Sequence, residues 1–283
     1  MHVSVPILVS FLSQLCHFLA YSIKKPKIRL ENGMFIISVD VDVGNKELGV
    51  INEGKNDANV SSSTSEYLVG KIEERVLPLF VDLFNDFEIP VTFAIRGQLT
   101  EVDDSILKLL LKSPVKHDIG SHGYYHRSFK NLSPNEAENE LNMISTGMKK
   151  FSIMPRSFVF PKNSVAHLEL LEKYGYKCYR GYNQCMCIEK QGRLYNIHPS
   201  LFLPCENPIL LKKILDISIA KKLPFHVWFH SWNFGQEDGY IKRNIKRIFV
   251  PLLDYAKRRE KSGMLTFETM LSAAEKVENS LDL

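Results

Sequence analysis

Three stretches carry side chains that could do chemistry. In His117-Asp-Ile-Gly-Ser-His122-Gly-Tyr-Tyr-His126 the last two imidazoles stand four positions apart. On a helical turn that spacing puts both on one side, within reach of a single metal ion as neutral nitrogen ligands. In Phe35-Ile-Ile-Ser-Val-Asp40-Val-Asp42 an apolar, β-branched run reads as a buried strand. Its period of two places Ser38, Asp40 and Asp42 on one face and Ile37, Val39 and Val41 on the other. The plain alternative is a pair of strand-end aspartates capping a turn. Two like charges side by side in a buried strand are costly, however, unless something binds them. A metal on one and a catalytic proton on the other account for both. In Phe225-His226-Val-Trp228-Phe-His230-Ser-Trp232-Asn233 the same alternation sets His226, Trp228, His230 and Trp232 on one face. An ordinary apolar core would not select that concentration of imidazole and indole, so we read the face as a pocket wall.

These residues resemble the polysaccharide deacetylases of carbohydrate esterase family four. The resemblance runs from about Gly33 to Thr269, with Val91-Thr-Phe-Ala-Ile-Arg-Gly97 similar to the family's second strand and Leu265-Thr-Phe267 to its last. It implies that Asp40 is the base, that Asp42, His122 and His126 hold the metal, and that His230 is the late histidine acting as general acid. His226 or Trp228 would stand beside it, and Trp228 and Trp232 would offer flat faces to a sugar ring. The family's third motif, an arginine followed by proline and glycine, is altered here to Phe158-Val-Phe-Pro161-Lys-Asn163. The arginine that pairs with the base must come from elsewhere: Arg180 is the first candidate, followed by Arg156 and Arg96. Lys162 and Asn163 are candidates for substrate contact.

The implied fold is an α/β barrel of the family's irregular seven-stranded (β/α) form. The implied activity is metal-dependent removal of an N-acetyl group from an amino sugar or glycan. Two histidines and a carboxylate suit one divalent ion, zinc first, with cobalt, nickel and iron(II) also accepted. Hydrolysis of a formyl or cyclic amide and a non-catalytic, deacetylase-like binding protein are the alternatives.

The elements that must position these groups read as alternating strands and helices. Helical spacing covers Glu66 to Phe87, Ile106 to Lys112, Ser133 to Phe151, Ala166 to Tyr174, Asn207 to Lys221 and Tyr240 to Arg259. Strands fall between them at Val91, His117 to Ser121, Ser157 to Phe160, Tyr176 to Arg180, Phe225 to Trp232 and Leu265. Strand-helix repeats of this kind build parallel βα units, with active residues at the strands' C-terminal ends. The polar stretch from Gly44 to Ser65 reads as a mobile rim.

A length of 283 residues with 45% hydrophobic and 24% charged content is enough for one large core, which we assign to residues 31–283. The net charge of +4 and the short Lys/Arg runs imply no nucleic-acid surface. Residues 1–30 form a separate segment, an amphipathic helix followed by a basic linker. Its apolar stripe over residues 3–22 fits a helix packed on the barrel or one lying at a membrane interface, ahead of a signal or a span. Five cysteines, at 16, 178, 185, 187 and 205, lack a regular framework and read as free thiols, with a zinc knot of the last four as the alternative. The compartment expected on these grounds is cytoplasmic, with peripheral membrane contact through the N-terminal helix.

Overall fold

Gly33–Val41 forms β1, and all nine of its residues are buried. A strand covered on both faces needs a near-continuous apolar run, which this segment supplies apart from Ser38 and Asp40. In this computed structural model, which describes residues 30–42, 75–102, 104–181, 184–203, 207–234 and 242–281, the other strands assemble around β1. They are β2 (Thr92–Ile95), β3 (Asp118–Ser121), β4 (Ser157–Val159), β5 (Cys178–Arg180), β6 (Ile188–Gln191), β7 (Leu194–Ile197), β8 (Leu201–Phe202), β9 (Pro224–His230) and β10 (Leu265–Glu268). Their order is β6-β7-β5-β4-β3-β2-β1-β9-β8, with β10 paired to β1. Every pairing is parallel except β6 with β7. The seven-stranded parallel run expected from the sequence is present as β7 through β9, and β6, β8 and β10 are added to it.

β1 is the hinge of this curled sheet. One edge pairs with β9 from Met34 to Asp40, while the other is shared, with β10 along Gly33 to Ile36 and β2 along Ser38 to Val41. Its two faces have different work. Phe35, Ile37, Val39 and Val41 join the larger core, which packs under the helices α1 (Leu77–Asp86), α3 (Ser105–Leu111), α4 (Pro134–Lys149), α6 (Pro208–Lys221) and α7 (Val250–Lys261). Two shorter helices, α2 (Leu99–Val102) and α5 (Leu168–Lys173), complete the layer. Met34 and Ile36 face the inside of the curl, where Met270, Ala273, Ala274 and Val277 of the last helix, α8 (Met270–Leu281), fill the space. Each large side chain so buried contributes roughly 1.5–3 kcal/mol. The inner face of β1 therefore runs from an apolar floor at Met34 and Ile36, through Ser38, to Asp40 and Asp42 at the mouth.

The sequence reading omitted the β6–β7 hairpin, β8 and α8, whose segments are short or lie beyond the last recognised strand. The helix expected from Glu66 is described only from residue 75, and the region before α7 opens with a π-helical turn at Ile245–Phe249. The N-terminal helix and the Gly44–Ser65 rim fall outside the described residues. Among the described residues no helix is long and apolar enough to cross a membrane.

The cysteines correct an expectation. The Cys185 and Cys187 sulfurs are bonded, with Cα atoms 5.5 Å apart, a separation that suits a disulfide. Free thiols at these two positions are not what the structure shows. Cys178 is a buried free thiol 3.3 Å from Ser157 Oγ and stands apart from that pair, so it belongs to no four-cysteine knot. Cys16 and Cys205 lie outside the described residues.

Helix α4 secures the loop after β3. Its N-terminus is the capping box that Ser133-Pro134 and Glu136 foreshadow: the Glu136 amide donates to Ser133 Oγ and the Ser133 amide to Glu136 Oε2. One turn further along, Glu140 is fully buried and accepts from the amides of Tyr124 (2.7 Å) and Tyr125 (3.2 Å) and from Arg127 Nε (2.7 Å). A carboxylate inside the protein thus fastens the backbone between His122 and His126. Glu140→Ala strands the buried Tyr124 amide and releases Tyr125 and Arg127, and is expected to cost about 3 kcal/mol. Urea unfolding should show a lowered midpoint with an unchanged slope.

Candidate active site

Parallel register sets the heights of the groups at the mouth: Asp40 is level with His230 on β9 and with Ala94 on β2. Across the curl, at the end of β5, Arg180 meets Asp40 with two bonds, Nη1 donating to Oδ1 at 2.8 Å and Nη2 to Oδ2 at 2.5 Å. Both side chains are almost fully buried. Nη1 also donates to Ser38 Oγ at 2.8 Å, Ser38 Oγ is 2.8 Å from His226 Nε2, and His226 Nδ1 is 3.2 Å from the Ile197 carbonyl. One proton assignment satisfies the chain: Nδ1–H donates to Ile197, so Nε2 accepts from the Ser38 hydroxyl, whose oxygen accepts from Arg180. Burial, aided by the Arg180 charge, lowers the His226 pKa to about 3 and keeps it neutral.

His226 is therefore not a pocket residue, contrary to the sequence reading. It is level with Ile36 rather than Asp40 and supports the ion pair from below. The structure brings Arg180 to Asp40, whereas Arg156 pairs with Glu275 and Arg96 donates to Gln98. Burial opposes the charge on Asp40. The Arg180 guanidinium, with His122 and His230, outweighs it and holds the carboxyl below its ordinary value.

Asp42 Oδ2 lies 3.3 Å from His122 Nε2 and 3.3 Å from His126 Nε2, and the donor atoms of the three residues all fall within 4.8 Å of one another. Ligands at ordinary zinc distances around a tetrahedral ion stand about 3.3 Å apart. His122 Nδ1 is 2.9 Å from the Val159 carbonyl, which fixes the proton there and leaves a lone pair on Nε2. That Nε2 is buried and has no hydrogen-bond partner. A lone pair facing a carboxylate oxygen at this distance is repelled unless a cation stands between them. The donor set therefore fits a zinc-class ion.

The two histidines are not on a helical turn. His122 follows β3 directly, and the chain then reverses through Gly123 (φ +67°) to His126, itself left-handed at φ +60°. A Cβ on Gly123 would lie 2.8 Å from Pro161 Cγ, so the turn requires glycine for its space as well as for its backbone. Holding a histidine in the left-handed region costs on the order of 1 kcal/mol and persists only where its surroundings impose it. The Glu140 anchor is such an imposition.

His230 Nε2 stands 3.9 Å from Asp40 Oδ2 and 3.8 Å from Asp42 Oδ2. Asn233 Oδ1 accepts from the His230 amide (2.7 Å) and lies 3.1 Å from its Nδ1, so Nδ1 carries a proton and Nε2 is the atom facing the carboxylates. β9 ends at His230 and the chain turns at Ser231–Phe234 into a 3₁₀ turn. The strand thus stops short of Trp232, whose side chain lies outside the described residues.

These groups line a cleft of about 330 Å³ shared with Phe160, Lys162, Asn163 and Trp228. That is room for a sugar ring. Lys162 and Asn163 occupy consecutive left-handed positions at φ +54° and +52°, a tight turn that directs them to the rim. One side of the Trp228 ring is taken by the Arg180 guanidinium at 4.3 Å, and Phe202 packs against it at 4.6 Å. Trp228 therefore braces the ion pair as well as lining the cleft. Sequence reasoning missed Asn233 and Glu140. Glu140 carried a signal, since it interrupts the apolar face of Ala137, Leu141, Ile144 and Met148 at helical spacing.

The family model described as Polysaccharide deacetylase matches residues 64–179. No curated protein matches the chain. A solved structure from Mycobacterium smegmatis, assigned as a polysaccharide deacetylase, superposes with a TM-score of 0.69 at 12% identity, covering 90% of this chain and 95% of that one. Another so assigned, from Pseudomonas aeruginosa PAO1, gives 0.63 at 11% identity, covering 86% and 90%. The Puue allantoinase gives 0.59 at 10% identity, covering 86% and 89%. At these identities the structures speak to the fold alone. The match to the polysaccharide deacetylase model takes in β2 to β4 with both histidines, and the fold shared with the solved structures extends well beyond it.

Proposed function

We propose that this chain is a metal-dependent hydrolase that removes an N-acetyl group from an amino sugar or glycan. The observation that carries the reading is the placement of an arginine-paired carboxylate, Asp40, beside the three-donor cluster of Asp42, His122 and His126 in one cleft. Asp42, His122 and His126 would hold the ion. The chemistry it supplies there is Lewis acidity, which polarises an amide carbonyl and lowers the pKa of water.

The remaining work falls to the chain. Asp40, kept ionised by Arg180, accepts a proton from the attacking water. Arg180 occupies both Asp40 oxygens and so fixes the direction in which the carboxylate presents its lone pairs. His230, on the other side of the carboxylate pair, donates from Nε2 to the departing nitrogen, and Asn233 sets its ring. The products are acetate and a free amine. Trp228 and Phe160 furnish apolar walls, and Lys162 and Asn163 supply polar contacts at the rim. The acyl group and the glycan are the substrate features this cleft leaves to its rim, and a formylated or cyclic amide would use the same groups.

Incubation of the zinc-loaded protein with a panel of N-acetylated and N-formylated amino sugars and chitin- and peptidoglycan-type oligomers tests the reading. Acetate release is expected. Formate release from the formylated compounds alone would replace the acyl assignment, and no acid from any member would overturn the hydrolase. Asp40→Asn should lower kcat at least about 10³-fold while the metal content is unchanged, and His230→Ala should lower it about 10²- to 10³-fold. Loss of metal in Asp40→Asn would show instead that Asp40 is a ligand.

A pH profile tests the role of Arg180. Its charge lowers the Asp40 pKa, so the base form persists into acid. With Arg180→Met the burial penalty is no longer outweighed, the carboxyl takes its proton at higher pH, and the acid limb of kcat/KM should move upward by about one unit or more. An unmoved acid limb would remove Asp40 as the titrating base.

A further inference from the structure

Among the described residues a second group of donors stands apart from the cleft. Cys185, Cys187 and His198 bring two sulfurs and an imidazole nitrogen within 4.8 Å of one another. The β6–β7 hairpin makes this juxtaposition. Ile188 is paired with Ile197, so Cys187 and His198 follow as the next opposing positions, and the His198 amide donates to the Cys187 carbonyl at 3.3 Å. Cys185 and His198 are buried, and Cys187 is half-buried. His198 Nε2 lies 3.1 Å from Glu189 Oε2, the carboxylate–imidazole pairing that fixes the ring of a metal-bound histidine.

We propose that Cys185, Cys187 and His198 form a second metal site, specific for a zinc-class ion and occupied when the two cysteines are reduced. Two thiolates and an imidazole are borderline-soft donors of the kind that structural zinc takes, unlike the carboxylate-containing set at the cleft. The bonded state of the two sulfurs is the alternative condition of the same donors. A disulfide there closes a loop of only three residues and so restrains the unfolded chain little, whereas an ion held by all three side chains also ties Cys187 to His198 across the hairpin. Passage from one state to the other is balanced by a two-electron reductant, a thiol or phosphine, which opens the S–S bond to two thiols. Each thiol then releases its proton on taking the ion.

The site would brace the ion pair at the cleft. The Cys185 amide donates to the Pro199 carbonyl at 3.1 Å, and Ser200 Oγ donates to the Cys185 carbonyl at 3.1 Å. Ser200 in turn exchanges backbone and side-chain bonds with His226 at 2.7 and 3.0 Å, and His226 holds Ser38 beneath Arg180. A cross-link at the hairpin therefore ends on the residue that supports the base's counter-ion.

Cobalt(II) added to the full chain, reduced with a phosphine and desalted anaerobically, tests the site. Sulfur ligation gives a near-ultraviolet thiolate-to-cobalt charge-transfer band, which the sulfur-free cleft cannot produce. Two equivalents of cobalt, enough to fill the cleft as well, are expected to develop that band, zinc to displace it, and His122→Ala to keep it. Cys187→Ser should abolish it, and His198→Gln, which keeps both sulfurs, should weaken cobalt binding at least about tenfold. Absence of the band in folded, reduced wild-type chain would overturn the proposal, as would a band that survives Cys187→Ser. Because the wild-type spectrum needs no variant, a misfolded substitution leaves the test decisive, and neither failure touches the assignment of Asp42, His122 and His126.

Discussion

Arg180 meets Asp40 with two parallel N–H···O bonds inside the protein, and most of what surrounds the cleft serves that pair. Little of either charge is open to solvent, so each depends on the other and on its placement. Removing one member of such a pair typically costs about 3–5 kcal/mol, because its partner is left charged and buried. The pair is supported on two sides: Ser38 and His226 carry the guanidinium from below, and Trp228 lies across its face. Stability alone would be served as well by apolar side chains of similar volume. What the pair supplies is a carboxylate that stays ionised and points one way, beside a cluster of donors for a cation.

The second constraint is backbone geometry. Two histidines four residues apart can converge from a helix, but here they converge from a reversed loop that needs a left-handed glycine and a left-handed histidine. The loop is held from outside by Glu140, on a helix whose start is fixed by a capping box. The strain sits where two imidazoles must converge on Asp42, and the helix that restrains it contributes nothing to the chemistry directly.

Much of this was legible in the residues. The alternation in β1 separates Ser38, Asp40 and Asp42 from the core-facing residues, because a period of two is a local property of extended chain. The placement of Arg180 at the end of a strand was legible for the same reason, at the mouth where the other ends converge. Depth was not. Alternation puts His226 and His230 on one face but cannot say that His226 is level with Ile36 and His230 with Asp40, since that register joins strands some 190 residues apart. Four residues along a strand is roughly 13 Å, the difference between a group in the cleft and a prop beneath it. The turn that ends β9 at His230 was likewise not in the apolar pattern; it carries a bond from the His230 amide to Asn233 Oδ1.

The most direct test of the account is the metal content of the purified chain, measured by elemental analysis for the wild type and for His122→Ala after identical reconstitution with zinc. The account predicts that the variant, folded by circular dichroism, holds one equivalent fewer than the wild type. Equal metal content in the two proteins would contradict it, because Asp42, His122 and His126 would then not be the residues that hold the ion.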